Sequence, residues 1–422
     1  MSLPSTAPAT PAATPHLVVR SQTADVSASL LDHLPSDRAL AWVRRGDGIA
    51  GWGEAARMDV SGPGRFAAAE RWWSELTAAA VVRDDIKVPG SGLVCFGSFG
   101  FTEEDPGVLV VPEILVGRRG SATWVTTVSP ASSLPAPPRL SLHEPDPAGL
   151  VTFADGARSG AEWSAMVAEA VRRIAAGTVE KVVLARDLVA VADGPIDLRA
   201  PLRRLASSYP GCWTFAVDGL IGATPELLVR RERGLITSRV LAGTIRRTGD
   251  DEHDLALAAS LARSSKDLEE HEFAVRSVAE ALQEHCQSML VPESPFVLHL
   301  PNVMHLATDV TGVAANGASA LGLAAALHPS AAICGTPTDV ARDLIAELEG
   351  MRRGRYSGPV GWLDGSGDGE WGIALRCGQA DPDDPARMRL FAGCGIVAGS
   401  DPAAELAESN AKLVPMRDAL EG

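Results

Sequence analysis

Short apolar runs bounded by glycine, proline and aspartate recur along this chain, and long segments with helical spacing interrupt them. Residues 358–363 and 370–376 flank a turn rich in glycine and aspartate at 364–369, which predicts a β-hairpin. Residues 159–176 and 252–287 have the apolar spacing of helices. Strands grouped at hairpin spacing and separated by long helices favour an α+β fold over regular βαβ alternation.

The charge balance restricts the possible partners. The chain has 422 residues with 38 basic against 53 acidic side chains, a formal net charge of −15 at pH 7. This charge disfavours nonspecific binding to nucleic acid and attraction to anionic lipid, because both depend on basic surface. An anionic substrate would therefore need locally concentrated cationic groups or a metal ion.

The termini and cysteines indicate where the protein works. Residues 1–15 are rich in Ala, Pro, Thr and Ser, lack the features of a signal peptide, and are expected to form a disordered tail. No apolar run reaches the length of a membrane span. The six cysteines form no Cys-x-x-Cys pair, which is typical of reduced, mostly buried thiols. We therefore expect a cytoplasmic protein without nucleic acid or membrane partners.

Two pairs of carboxylates have the spacing of neighbours on a helix. Glu405 and Glu408 are three residues apart, and Lys412 follows four residues later on the same predicted face. Such a triplet is usually a solvated face. Asp267 and Glu270 are also three apart, so two helices could direct carboxylates at one hard cation. Mg²⁺ prefers oxygen ligands and usually takes only one or two carboxylates directly, with the others holding bound waters.

Three ionisable side chains lie in or beside predicted strands. Lys181 is a lone cation near the start of an apolar run, which means little by itself. Glu226 follows Pro225 at the entry to an apolar strand, where desolvation would raise its pKa and suit a general acid; a water-facing edge position is the alternative. Arg376 is predicted to lie on a strand, where its planar guanidinium would bind a carboxylate.

Several further segments are ambiguous when taken alone. Leu241, Ala242, Gly243 and Thr244 could form an ordinary turn or a close approach to a ligand. His305 would by default be a core histidine, and Tyr356 would by default be a packing residue. The alternate glycines around Gly393 lack the pattern of a phosphate loop and would let backbone N–H groups approach an oxyanion.

The order of these segments along the chain is more specific than any one of them. Together they resemble the isochorismate synthase branch of the chorismate-utilising enzymes, strongly over about residues 155–420 and loosely before them. In that family, a lysine at position 181 marks members that add water to chorismate, whereas ammonia-using anthranilate and aminodeoxychorismate synthases generally carry glutamine. The segments are 181–186, 224–226, 241–244, 270–271, 305–306, 327–329, 334–337, 356–362, 374–377 and 392–397, followed by Glu405, Glu408 and Lys412.

The resemblance implies roles for the reacting groups and the metal. Lys181 would be the base that activates water for attack at ring C2, and Glu226 the acid that protonates the departing C4 hydroxyl. Mg²⁺ would hold the ring carboxylate. Its ligands would be Glu270 and Glu408 directly, with Asp267 and Glu405 acting through water, although relatives often have glutamate at position 267.

The resemblance also implies the substrate-binding groups and the fold. Tyr356 and Arg376 would bind the enolpyruvyl carboxylate, and Gly393 with Lys412 would help to hold the ring carboxylate. Leu241, Ala242, Gly243, Thr244 and His305 would complete the substrate site. The fold would be a single large α+β unit over residues 16–422, with antiparallel β-sheets in a sandwich flanked by helices and the site in a deep cleft. Residues 16–150 would form its N-terminal part and 155–420 its catalytic core.

The expected activity is therefore that of an isomerase that converts chorismate into isochorismate with Mg²⁺. The main alternative is a salicylate synthase, which forms the same intermediate and then eliminates pyruvate. A noncatalytic binding subunit is disfavoured by the presence of both Lys181 and Glu226, and an aminating subunit is disfavoured by Lys181. We expect a monomer without a glutaminase subunit, and the sequence leaves open whether the product serves menaquinone or siderophore synthesis.

Overall fold

The structure, a computed structural model, describes residues 15–36, 38–132, 138, 140–146, 149–299, 303–315 and 317–422. The side chains of Thr244, Lys266 and Glu270 lie outside the described part, as do residues 1–14 of the predicted N-terminal tail. No helix within the described ranges combines the length and the apolar character that a membrane crossing requires.

The secondary structure is dominated by strands. In chain order these are β1 (Leu17–Thr23), β2 (Leu40–Arg44), β3 (Asp47–Trp52), β4 (Ala56–Val60), β5 (Val81–Asp84), β6 (Val94–Ser98), β7 (Gly107–Val111), β8 (Ile114–Arg119), β9 (Ala122–Pro130), β10 (Val151–Asp155), β11 (Lys181–Ala192), β12 (Trp213–Val217), β13 (Leu220–Thr224), β14 (Leu227–Glu232), β15 (Leu235–Arg246), β16 (Cys286–Leu290), β17 (Phe296–His299), β18 (Val303–Ala314), β19 (Gly335–Thr336), β20 (Pro359–Asp364), β21 (Gly369–Ile373), β22 (Cys377–Ala380) and β23 (Arg387–Ile396).

Five of the eight described helices begin after a residue whose side chain caps the first turn. Ser159 and Glu162 form a reciprocal capping box at the start of the second helix, and the side chain of Asp401 accepts a hydrogen bond from the Ala404 N–H at the start of the last. The helices are α1 (Arg65–Ala79), α2 (Gly160–Ala175), α3 (Arg199–Ser208), α4 (Asp251–Leu261), α5 (Ser265–Gln283), α6 (Ala320–Ala326), α7 (Thr338–Glu349) and α8 (Pro402–Glu421).

Two large sheets form a sandwich, as predicted. The first runs in the order β10-β11-β23-β22-β13-β12-β2-β3-β8-β9-β1-β5, with β19 also paired to β11. The second runs β16-β18-β15-β14-β21-β20-β6-β7-β4, with β17 also paired to β18. Among the described strands the pairings are antiparallel except that of β1 with β5. The expected α+β fold of antiparallel sheets is confirmed.

Apolar side chains fill the space between the sheets and beneath the helices. Trp42 and Phe215 of the first sheet share a buried cluster with Phe96 and Trp362 of the second. Helices α3 and α8 pack on the outer face of the first sheet, and α1 and α6 pack on the second. Burial of apolar area at the three interfaces between these four layers supplies the main driving force for this fold.

The chain crosses between the two sheets twice at one place. It passes from β13 to β14 through residues 225–226, and from β21 to β22 through residues 374–376. The two crossings hydrogen-bond to each other: Ala223 N–H donates to the Arg376 carbonyl at 3.2 Å, and Ile373 N–H donates to the Glu226 carbonyl at 3.2 Å. Glu226 and Arg376 are therefore carried by adjacent crossing segments.

One local prediction is wrong: Arg376 does not lie on a strand spanning 370–376, because β21 ends at Ile373 and Arg376 occupies the bend before β22 with φ of 48°. Of the two alternatives for residues 241–244, the ordinary turn is excluded, because β15 continues through them to Arg246 by way of a bulge. Both segments are irregular because long-range pairing, rather than local propensity, sets their course.

Burial on α1 provides a test of the packing described above. Leu76 is fully buried beneath this helix, whereas its neighbour Glu75 is exposed. Leu76→Ala should lower the free energy of unfolding by about 2–5 kcal/mol, because it removes buried methyl groups and leaves a cavity. Glu75→Ala should change it by less than about 0.5 kcal/mol. Urea unfolding of both variants measures this difference, and equal effects would contradict the assigned burial.

Candidate active site

A cavity of about 580 Å³ opens at the double crossing between the sheets. Its walls come from β11 and β23 of the first sheet, β15 and β18 of the second, α5, α8 and both crossing segments. The predicted site residues that line it are Lys181, Glu226, Leu241, Ala242, Gly243, Asp267, His305, Tyr356, Arg376, Gly393, Glu408 and Lys412. Segments separated by more than 200 residues in sequence are thus brought to one concave surface.

Lys181 is the first residue of β11, at the edge of the cavity. Its backbone pairs with Thr336 of the short strand β19, and Glu180 N–H donates to the Thr336 carbonyl at 2.8 Å. On the other side, β11 pairs with β23. A Cβ built on Gly395 of β23 would lie 3.1 Å from Lys181 Cε, so the lysine side chain runs past a residue that offers no obstruction. The lysine stem is therefore guided by strands on both sides.

Glu226 lies in the first crossing, one residue before β14. Burial raises the pKa of its carboxyl to about 7, against the opposing influence of the cations Arg376, Lys181 and Lys412. This agrees with the predicted effect of desolvation on a glutamate entering an apolar strand. A carboxyl with this pKa holds its proton for much of the time at neutral pH and can donate it to a leaving group.

Arg376 lies in the second crossing and faces the cavity. Its φ of 48° is uncommon for a residue other than glycine, and such conformations persist where the surrounding structure fixes them. Its carbonyl is held by Ala223, so the backbone of the crossing fixes where the guanidinium starts. Within the described part of the chain, no carboxylate lies within ion-pair distance of this guanidinium, which leaves its fork available for an anionic ligand.

Tyr356 and Gly393 meet on the same wall. The Tyr356 ring is buried and stacks on Phe391 of β23, with ring centroids 5.1 Å apart. A Cβ built on Gly393 would lie 3.0 Å from the Tyr356 hydroxyl and 2.9 Å from the Leu184 carbonyl oxygen. A side chain at position 393 would therefore push into the tyrosine and the neighbouring strand, which explains why glycine occupies this position.

The acidic face of α8 borders the cavity with a lysine beside it. Lys412 Nζ pairs with Glu408 Oε1 at 2.6 Å and donates a hydrogen bond to the Gly393 carbonyl at 2.9 Å. Burial works to raise the pKa of Glu408, but the charge of Lys412 overcomes it and leaves that pKa below its usual value. Burial and the Glu408 charge raise the pKa of Glu405, which accepts a hydrogen bond from Ser400 Oγ at 2.7 Å.

These acids form a possible cation site. Ligand atoms of Glu405, Glu408 and Cys394 all lie within 4.8 Å of one another. Burial raises the pKa of the Cys394 thiol to about 12, so the thiol stays protonated and the two carboxylates are the suitable donors for a hard cation. Asp267 lines the same cavity. Glu270 lies on α5 with Asp267, but its side chain is outside the described residues.

A β-bulge shapes the wall opposite α8. Gly243 takes φ of 74° where the pairing of β15 with β18 shifts register, and a Cβ built there would lie 3.3 Å from Asp267 Cβ. His305 of β18 hydrogen-bonds to the backbone of Gly243. Burial, reinforced by Arg376 and Lys412, lowers the pKa of His305 to about 4, so its ring is neutral at physiological pH.

Sequence reasoning missed the apolar part of the cavity wall. Residues 331–333, with Phe273 and Ala274, lie outside every segment that the sequence singles out as part of the site. The segment 331–333 lies between 327–329 and 334–337, two of the segments that carry the family resemblance. Its position between them is the one sequence signal that indicates it. Of the predicted residues, Glu405 is not in the cavity wall but adjoins Glu408, and the side chain of Thr244 lies outside the described residues.

The raised pKa of Glu226 has a consequence for stability. Its pKa is about 7 in the folded protein against an ordinary 4.5, so the folded state binds this proton more tightly than the unfolded state does. The stability of wild type relative to Glu226→Gln should therefore be greatest at about pH 4.5 and fall by about 1–3 kcal/mol as pH rises to 8.

Urea unfolding of both proteins at the two pH values measures this change. Glu280→Gln, an exposed position on α5, serves as the control and should follow wild type at both. A constant difference between wild type and Glu226→Gln would contradict the burial of this carboxyl.

Comparison with known proteins places this geometry in a family. A family model described as chorismate binding enzyme matches residues 139–421. The chain is 41% identical to isochorismate synthase DhbC of Bacillus subtilis over 266 residues, which span 60% of this chain and 66% of that protein. It is 35% identical to the salicylate biosynthesis isochorismate synthase of Pseudomonas aeruginosa over 393 residues, covering 87% of this chain and 82% of that one.

A solved structure of similar fold supports the same family. MenF, the menaquinone-specific isochorismate synthase from Escherichia coli, superposes with a TM-score of 0.77 at 25% identity, covering 96% of this chain and 95% of MenF. The matched region contains the strands, crossings and helix that build the cavity. The chain belongs to the chorismate-binding enzyme family.

Proposed function

We propose that this enzyme converts chorismate into isochorismate by adding water at ring C2 and releasing the hydroxyl at C4. The observation that carries the proposal is the joint presence of Lys181 and Glu226 on one cavity whose other polar groups include Arg376 and Lys412. The first pair suits proton transfer, and the second pair suits the binding of carboxylates. The names of the similar proteins support the same reaction.

The cavity supplies positive charge that complements the proposed substrate. Chorismate carries two carboxylates, whereas the protein has a formal net charge of −15. Arg376 offers a planar fork for one carboxylate, with Tyr356 beside it on the adjoining wall. Lys412, held near the Gly393 carbonyl, adds positive charge where the ring carboxylate would lie. Local cations in a partly desolvated cavity thus bind an anion that the overall charge would repel.

Lys181 and Glu226 each carry out one proton transfer of the proposed reaction. The Lys181 amine, in its neutral form, takes a proton from water as the water oxygen bonds to C2. The ring double bonds shift, the C4–O bond breaks, and Glu226 protonates the departing oxygen, which leaves as water. The sum is an isomerisation: one oxygen of the substrate is exchanged for an oxygen from water, and the molecular formula is unchanged. A glutamic acid with a pKa near 7 is protonated often enough at neutral pH to do this.

Magnesium fits the donors beside this pair. Glu405 and Glu408 place carboxylate oxygens close together, and Asp267 adds a third carboxylate on the cavity wall. Oxygen donors of this kind suit Mg²⁺, which retains several bound waters. When bound, Mg²⁺ would supply positive charge that holds the ring carboxylate. Glu408 and Glu270 would hold the Mg²⁺ ion directly. Asp267 and Glu405 would hold it through bound water.

The proposed reaction is tested by its products. Purified enzyme with Mg²⁺ should convert chorismate into isochorismate, followed by chromatography, with little pyruvate in a coupled lactate dehydrogenase assay. Stoichiometric pyruvate and salicylate from the earliest times would show a salicylate synthase instead, and an aminated ring formed with ammonium would show that ammonia is the nucleophile.

The base is tested in the same assay. Lys181→Met should lower the turnover rate by about 10²–10⁴-fold because the water loses its proton acceptor. Lys87 is exposed and is not part of the cavity wall, so Lys87→Met should keep the wild-type rate. An unchanged rate in Lys181→Met would remove this lysine from the mechanism.

The metal site is tested by titration with Mg²⁺. Glu408→Gln should raise the Mg²⁺ concentration for half-maximal activity by about 10–100-fold, because a charged ligand is lost. Mg²⁺ alone, at a concentration just sufficient to saturate wild type, should raise the Tm of wild type clearly more than that of Glu408→Gln. Glu421→Gln, exposed at the end of the same helix, is the control. Full turnover in excess chelator would refute the metal requirement.

A further inference from the structure

The strand that carries Lys181 has a gap in its pairing beside the cavity. One edge of β11 pairs with β23 from Val182 to Val191. The other edge pairs with β19 only at Lys181 and Val182, and with β10 only from Leu188 onward. Residues 183–187 therefore lack a paired strand on that side, although Val183 N–H donates to the Cys334 carbonyl at 2.8 Å and the Asp187 carbonyl accepts from Gly156 N–H at 3.1 Å. Buried backbone groups without partners are costly, so something else must satisfy them.

A buried ion pair occupies this gap. Glu349 is the last residue of α7, Arg353 follows four residues later, and their side chains are 1% and 2% exposed. Glu349 Oε1 accepts a hydrogen bond from the Ala185 N–H at 2.7 Å, and Arg353 Nη2 donates to the Val183 carbonyl at 2.7 Å. Arg353 Nε also donates to Glu349 Oε2 at 2.9 Å. The two side chains thus satisfy the Ala185 N–H and the Val183 carbonyl, which a paired strand would otherwise satisfy.

The same arginine ties two further walls of the cavity to this strand. Its Nη1 donates to the Ile333 carbonyl at 3.0 Å, in the apolar segment 331–333. Its own carbonyl accepts from Tyr356 N–H at 3.2 Å, and its guanidinium lies 4.2 Å from the centroid of the Phe101 ring. Val183, Ile333 and Tyr356 all line the cavity. The Arg353 side chain therefore ties together the walls at Val183 and Ile333, and its backbone carbonyl holds the wall at Tyr356.

Stability alone is a weak reason for such a pair. Removing two charges from water is costly, and replacing a buried ion pair by apolar residues is often neutral or stabilising. Removing a single partner leaves a buried charge uncompensated and is strongly destabilising. What an apolar pair cannot supply is the directional hydrogen bonds to Val183, Ala185 and Ile333.

We propose that Glu349 and Arg353 are positioning residues that fix β11, and with it Lys181, against the wall formed by residues 331–333 and Tyr356. The proposal rests on the proposed function of the cavity. Neither residue lines the cavity, so both act through the groups they hold. A displacement of about 1 Å in a reacting group can lower a rate about 100-fold.

The test uses the double variant Glu349→Leu/Arg353→Met, which removes both charges together. We expect a cooperatively folded protein whose kcat falls by about 10–100-fold, with KM changed by less than about threefold because Arg376 and Lys412 still bind the substrate. Arg353→Lys is the second variant: it keeps the charge opposite Glu349 but loses the fork that reaches Val183 and Ile333. Its kcat should fall at least about tenfold.

The control is a second buried pair outside the cavity. Asp197 and Arg199, at the start of α3, have side chains 7% exposed and touch neither β11 nor the cavity wall. Asp197→Asn/Arg199→Met should keep the wild-type kcat whatever its stability. If a folded Glu349→Leu/Arg353→Met protein, or Arg353→Lys where the double variant does not fold, kept kcat within about twofold of wild type, the proposal would be overturned.

Amide hydrogen exchange separates this proposal from the proposed reaction. Peptides covering residues 181–187 should exchange faster in Glu349→Leu/Arg353→Met and Arg353→Lys than in wild type and the control, with no substrate present. Unchanged exchange in this segment would also overturn the proposal. An enzyme that leaves chorismate untouched would instead refute the reaction, while the exchange result would still report on the strand.

Discussion

The double crossing between the two sheets is the constraint on which the site depends. Two chain segments leave one sheet and enter the other side by side, and backbone hydrogen bonds between Ala223 and Arg376 and between Ile373 and Glu226 tie them together. A cavity opens at the crossings because, where the chain passes from one sheet to the other, no paired strand fills the space. They also fix the backbone from which a carboxylic acid and a guanidinium project. The two hydrogen-bonded crossings thus carry two of the groups that the proposed reaction requires.

The electrostatics of the cavity follow from this architecture. Burial at the crossing raises the pKa of Glu226, and the cations around it limit that rise to about 7. Burial, Arg376 and Lys412 lower the pKa of His305, so the neutral histidine adds no charge to the cavity. Lys412 is paired with Glu408 and held at the Gly393 carbonyl. The pKa values of Glu226, His305 and Glu408 are therefore set by burial and by named neighbours, rather than by the acidic surface of the whole protein.

Much of this was predictable from the sequence, for physical reasons that can be named. The helical spacing of residues 159–176 and 252–287 and the turn at 364–369 are local signals, and the predicted helices and hairpin form at those places. The spacing of Glu405, Glu408 and Lys412 placed them on one helical face, and the structure brings that face to the cavity.

What could not be predicted depends on contacts between distant parts of the chain. Arg376 was expected on a strand because its neighbours are apolar, yet the pairing of β21 and β22 with different sheets places it in a bend. Glu349 and Arg353 have the spacing of an ordinary surface pair on a helix. Their role depends on a gap in β11 that only the complete sheet order reveals.

The source of the new hydroxyl group tests the central claim most directly. The account holds that solvent water, deprotonated by Lys181, attacks C2, and that the C4 oxygen leaves. Reaction in ¹⁸O-enriched water, with mass spectrometry of isochorismate from the earliest time points, reports where that oxygen comes from. The account predicts one ¹⁸O atom, located at C2, in each product molecule. Unlabelled isochorismate formed at the full rate would mean that the substrate's own hydroxyl is transferred, and would contradict it.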